Sequence, residues 1–147
     1  MKKISTLLVF LISFSLTLSA QTTFMPDSIF EAYCEAHGYG NGIPNDSLIS
    51  TSNASLVPQL NIDNLGISDL TGIEAFTSLT TLVCTDNNLS SINIATGATV
   101  GLLTYFDCRN NNPDLYCVQV DDTAWANSQV NWFTDANTSY SLDCATA

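Results

Sequence analysis

The chain has 147 residues, of which only 12% are charged, and a formal net charge of −11. Lys2, Lys3 and Arg109 are its three basic residues against 14 acidic ones, a balance that repels nucleic acid and anionic lipid and so excludes polyanion-binding functions. The same charge fits a well-solvated extracellular surface, or attraction for cations or a basic partner.

In chain order, the first expected element is an export signal. Lys2 and Lys3 precede an apolar run from Ile4 to Leu16 broken only by hydroxyl residues, and Ser19-Ala20 offers a small-residue cleavage site before Gln21. The run is short for a bilayer span, so residues 1–20 are expected to be removed, with a retained signal anchor as the alternative. Residues 21–147 are then one domain that is not membrane-embedded. Its parts are an N-terminal cap at 21–52, repeats at 53–120 and a C-terminal cap at 121–147.

After Pro26 and Asp27 the sequence predicts a helix, with Ser28 and Glu31 at capping-box spacing and Ile29, Phe30, Tyr33, Cys34 and His37 along one side. Gly38-Tyr39-Gly40-Asn41-Gly42 ends it by supplying residues tolerant of positive φ. Cys34-x-x-His37 has the look of half a zinc site, but no other histidine exists and a structural site needs four ligands. Cys34 is read instead as a small apolar residue of the cap, and no metal or cofactor is expected.

The repeats come next. Leu60, Ile62, Ile67 and Leu70 return 22 positions later as Leu82, Cys84, Leu89 and Ile92, and a looser copy follows with Phe106, Cys108 and Asn111. Leu79-x-x-Leu82-x-Cys84-x-x-Asn87-x-Leu89 satisfies the leucine-rich-repeat template, with cysteine replacing one leucine. In such a unit alternate side chains point inward from a short strand, and each coil covers the apolar edge of its neighbour. The expected fold is therefore α/β: a leucine-rich-repeat solenoid of about three coils with short parallel strands and a helical N-terminal cap. Asn87 and Asn111 fall where the chain turns, and the runs Asp86-Asn87-Asn88 and Asn110-Asn111-Asn112 are read as turn chemistry in preference to weak calcium sites. Leu65 stands where the first coil's asparagine belongs, as suits an atypical terminal repeat.

The stretch Leu79-Thr80-Thr81-Leu82-Val83-Cys84-Thr85-Asp86-Asn87-Asn88-Leu89-Ser90-Ser91-Ile92-Asn93-Ile94 resembles the repeats of short leucine-rich-repeat proteins exported by Bacteroidetes-type bacteria. The Phe24–Glu31 and Tyr116–Asp122 segments look like that family's opening helix and closing segment. The resemblance implies secretion to the cell surface or medium, and the lack of a recognisable C-terminal sorting domain before Ala147 leaves the periplasm open. It also implies that Cys117 and Cys144 form a disulfide stapling the C-terminal cap, which carries Trp125, Trp132 and Phe133. Cys84 and Cys108 take the same inward position on successive coils and are read as packed thiols. Neighbouring strands lie within disulfide reach, so distance alone does not forbid a bond between them.

No nucleophile with a base, paired carboxylates, phosphate loop or metal cluster is legible, so an enzyme is not expected. The expected function is a binding module for a protein or glycan, with a structural or remnant repeat protein as the alternative. The outward strand rows are Gln59, Thr81 and Tyr105; Asn61, Val83 and Asp107; and Asp63, Thr85 and Arg109. Tyr105 and Arg109 are the candidate anchors, being of the types enriched at binding hot spots. Val83 would be the apolar floor between strands, with Asn61 and Asp107 beside it. The competing reading pairs Tyr105 with Thr81, and Arg109 with Asp107 or Asp86, as ordinary surface contacts.

Overall fold

The computed structural model describes residues 21–95, 103–111 and 115–145; residues 1–20, where the export signal is expected, and Asn112 lie outside them. Strand β1 (Thr22–Phe24) pairs antiparallel with β2 (Leu48–Ser50), and helix α1 (Ser28–Ala36) lies between them in the chain. The helix begins one residue earlier than the capping-box spacing suggests. Asp27, not Ser28, is its N-cap, with Oδ1 accepting the N–H groups of Ile29 and Phe30 at 3.0 Å each. The other Asp27 oxygen explains the preference, because Oδ2 accepts Ser68 N–H at 2.8 Å, Ser68 Oγ–H at 2.9 Å and Asp69 N–H at 3.2 Å, tying the cap to the first coil.

Freed from the capping box, Glu31 is buried and accepts Asn45 N–H at 2.9 Å, bracing a turn in which Asn45 takes a positive φ of 63°. Phe30, Glu31 and Cys34 are the buried residues of α1, whereas Ile29 and His37, expected on the inner side, are exposed. A short helix α2 (Thr51–Ala54), capped by Ser50, leads into the repeats.

The strands β3 (Gln59–Asn61), β4 (Thr81–Val83), β5 (Ser91–Asn93), β6 (Tyr105–Asp107), β7 (Cys117–Gln119), β8 (Trp132–Phe133) and β9 (Ser139–Ser141) form two parallel sheets, alternating between them from β4 onward. One sheet has the order β3-β4-β6-β8 and the other β5-β7-β9. The register matches the repeat spacing, since Leu60 pairs with Leu82 and Leu82 with Phe106. Leu60, Ile62, Leu82, Cys84, Phe106 and Cys108 are all buried, so the alternation inferred from the repeat sets the interior. The fold is a leucine-rich-repeat solenoid of about three coils with a helical N-terminal cap and a disulfide between Cys117 and Cys144 in the C-terminal segment.

Asn87 holds the turns together. Its Oδ1 accepts the N–H groups of Leu65, Gly66 and Ile67, and its Nδ2 donates to the carbonyls of Ile62, Cys84 and Thr85. Asn111 repeats part of this pattern, accepting Leu89 N–H and donating to the Cys84 and Cys108 carbonyls. Between strands the backbone has no ladder partner, and a buried amide supplies both a donor and an acceptor there.

The C-terminal segment does more than close the end, because it continues both sheets. Phe106 pairs with Trp132 and Asp107 with Phe133, while Val118 pairs with Tyr140. Trp132 packs edge-on against Phe106 at 5.3 Å and Trp125 at 5.2 Å, and its indole N–H donates to the Leu103 carbonyl at 3.0 Å. Helix α3 (Thr123–Asn127), capped by Asp122, carries Trp125 to that contact.

Candidate binding face

The four-stranded sheet turns its odd-numbered side chains outward, in register. Asn61, Val83, Asp107 and Phe133 form one row across β3, β4, β6 and β8. Gln59, Thr81 and Tyr105 form the next. At about 4.8 Å between strands, the four-residue row spans about 14 Å.

The candidate residues fall into two groups. Asn61 is exposed and Val83 half-buried on the first two strands. Tyr105, Asp107 and Arg109 converge on the third with Phe133. Arg109 grips Asp107 with both ends of its guanidinium, Nε to Oδ1 at 2.9 Å and Nη2 to Oδ2 at 2.6 Å. That hydrogen bond and the Asp107 charge raise the already high pKa of Arg109. The guanidinium carbon sits 5.0 Å from the centre of the Phe133 ring, and the Tyr105 and Phe133 rings are 5.6 Å apart. Asp107 is 5% exposed, so its carboxylate is committed to Arg109, whereas the Arg109 side chain remains 48% exposed.

A buried carboxylate therefore holds an exposed guanidinium beside two aromatic rings. Planar cations of this kind can stack on a ring and still donate to a ligand acceptor. Tyr105, 37% exposed, adds a hydroxyl and a flat apolar surface. Arginine pairs with Asp107 and not Asp86, and Tyr105 packs on Phe133 while standing in register with Thr81. Sequence reasoning missed Phe133 as part of this face, having assigned it to the cap. The available signal was Trp132-Phe133, an inward-outward aromatic pair that continues the alternation of Phe106-Asp107.

Cys34 is buried against Met25, and burial, with the Glu31 and Glu35 charges, pushes its thiol up to about 12. His37 turns away from it, stacking on Tyr33 at 3.9 Å and donating from Nδ1 to the Tyr33 carbonyl at 2.7 Å. Among the described residues no group of three or more His, Cys, Asp or Glu is placed to hold a metal ion, and no helix is long and apolar enough to cross a membrane. Cys34, Cys84 and Cys108 are free thiols, and burial raises the pKa of the last two far above the ordinary value. Two grooves lie away from the aromatic cluster: one of about 420 Å³ between Asp69, Glu74 and β5, the other of about 400 Å³ beside β3.

No family model matches the chain, and no curated protein matches it. Among solved structures, the functional domain of InlJ from Listeria monocytogenes, described as including a cysteine ladder, is 24% identical with a TM-score of 0.48. The match covers 87% of this chain and 30% of that one, so the chain spans under a third of the length of the structure it resembles. The fold assignment rests on the strand register and the repeat, not on this likeness.

Proposed function

We propose that the protein is an exported binding module, without catalytic activity, that takes a protein or glycan ligand on the outward face of the four-stranded sheet. The observation that carries this is the Tyr105, Arg109 and Phe133 cluster with Asp107 beneath it. Two side chains of hot-spot type, Tyr105 and Arg109, meet the Phe133 ring at the edge of neighbouring strands, and an arginine held by a buried carboxylate loses little further freedom on binding. The strand face beside it, with Val83 as floor and Thr81 and Asn61 as small polar neighbours, leaves room for a ligand to lie across the coils. Removal of residues 1–20 would deliver the module outside the cytoplasm, where the Cys117–Cys144 bond is stable. The module then resembles the exported Bacteroidetes-type proteins in place as well as in repeat.

The second reading, a structural repeat protein with no specific ligand, is favoured by one feature: the Arg109 fork is already satisfied within the chain. Binding measurements separate the two. With the purified protein as probe on a glycan array and against proteins of its own growth medium, Tyr105→Ala and Phe133→Ala should each weaken the specific capture about fivefold or more. Capture that both variants retain at full strength places the site elsewhere, and no capture at all by the unsubstituted protein favours the structural reading.

A further inference from the structure

A second surface arises at the start of the same sheet. Strand β3 pairs with β4 alone among the described residues, so its other edge is open. In a parallel ladder an edge strand bonds its neighbour through alternate residues. Here the Pro58 carbonyl accepts from Thr81 and Ile62 N–H donates to the Val83 carbonyl, which sets Leu60 on the paired side. The N–H and C=O groups of Gln59 and Asn61 therefore point away from the sheet, with no partner strand. The antiparallel β1–β2 pair of the N-terminal cap does not reach them.

The groove of about 400 Å³ lies against this edge, lined by Tyr39, Leu56, Val57, Pro58 and Gln59 among others. Leu56 is 77% exposed, unusual for a leucine next to a solenoid core. At the far end of the edge Asp63 is exposed, and the one ion pair among the described residues, Arg109–Asp107, leaves it without a cationic partner. Gln59 and Asp63 are four residues apart, about 13 Å of extended chain.

We propose that this edge receives an extended peptide of another protein as an added parallel strand, independently of the Tyr105 face. The main chain of the peptide would exchange hydrogen bonds with Gln59 and Asn61. An apolar side chain would seat against Leu56, Tyr39 and Pro58, and a basic side chain four residues later would meet Asp63. A chain carrying 14 acidic residues and one arginine outside its first three residues favours a basic partner over a second copy of itself.

A fluorescein-labelled peptide Ser-Leu-Thr-Val-Thr-Lys-Ser, measured by anisotropy against the purified protein, tests this. The peptide should bind saturably, lose binding when alternate amides are N-methylated, and bind about tenfold more weakly to Leu56→Ser and to Asp63→Asn. Gln59→Pro removes one outward N–H without touching the ladder to β4 and should have a similar effect. Tyr105→Ala should leave this binding unchanged, which separates the edge from the sheet face. No binding, or equal binding of the N-methylated peptide, overturns the proposal. So does a protein dimer in sedimentation that Gln59→Pro dissolves, since the edge would then serve self-pairing.

Discussion

Asn87 shows how one side chain fixes a coil. Its six hydrogen bonds all go to backbone groups, four on the preceding coil and two at the end of its own strand. Truncation strands buried donors and acceptors, each costing about 1–3 kcal/mol. Asn87→Ala should lower unfolding free energy by about 3 kcal/mol or more, Asn111→Ala by less because it makes three such bonds, and exposed Asn88→Ala by under about 1 kcal/mol. Urea unfolding of the three variants checks the order. Asp27 has a pH signature as well. Burial raises its pKa, but the hydrogen bonds from Ser68, Phe30 and Ile29 outweigh this and leave it below the ordinary 3.8. A depressed carboxylate contributes stability that is complete above the unfolded value and fades as pH falls through the folded one. Asp27→Asn should therefore be less stable than the parent at pH 7, with the gap closing as pH falls below the ordinary carboxylate value. Thermal unfolding across that range reads it, and a gap that widens on acidification would contradict the assignment. The sequence made Asn87 legible because its period and turn position were both visible. Asp27 was not, since its second partner, Ser68, is 41 positions away and follows no local pattern.

At the scale of elements, the Cys117–Cys144 bond closes 27 residues that contain α3, β8 and β9. On the chain-entropy account a loop of that length is worth about 3.5 kcal/mol. Cys117→Ser with Cys144→Ser should lose about that much, and the exchange protection of Trp132–Phe133 and Ser139–Ser141 should fall before that of β3 and β4. Uniform loss across the strands would show that the segment is not the weak end. In the folded protein, alkylation should spare Cys84 and Cys108, whose burial holds them as thiols. The repeat made β3, β4 and β6 legible from four matching positions between the first two coils and three in the looser third copy. The strands of the C-terminal segment escaped because Trp132 stands 26 residues after Phe106, with helix α3 inserted, and the regular spacing had lapsed. The start of α1 was misjudged by one residue because Asp27 and Ser28 are both good caps and only a tertiary contact chooses between them.

For the whole molecule, the parallel register places the sequence-derived candidates on one surface while dividing their work. Tyr105 and Arg109 are presented, Asp107 is spent in holding Arg109, and Phe133 arrives from the next strand to complete the cluster. Asn61 and Val83 lie along the same row, near enough to widen a footprint but outside the aromatic contacts. In the turn Asp86-Asn87-Asn88 the two asparagine amides are consumed by backbone bonds, while Asp86 is exposed. The central claim, that ligand lies across the outward strand face, is tested most directly by site-specific photo-cross-linking. A photoreactive phenylalanine analogue replaces Thr81, in register with Tyr105, or Asn88, on the turn. The account predicts a cross-link to the captured ligand from position 81 and none from position 88; cross-linking from 88 alone would contradict it.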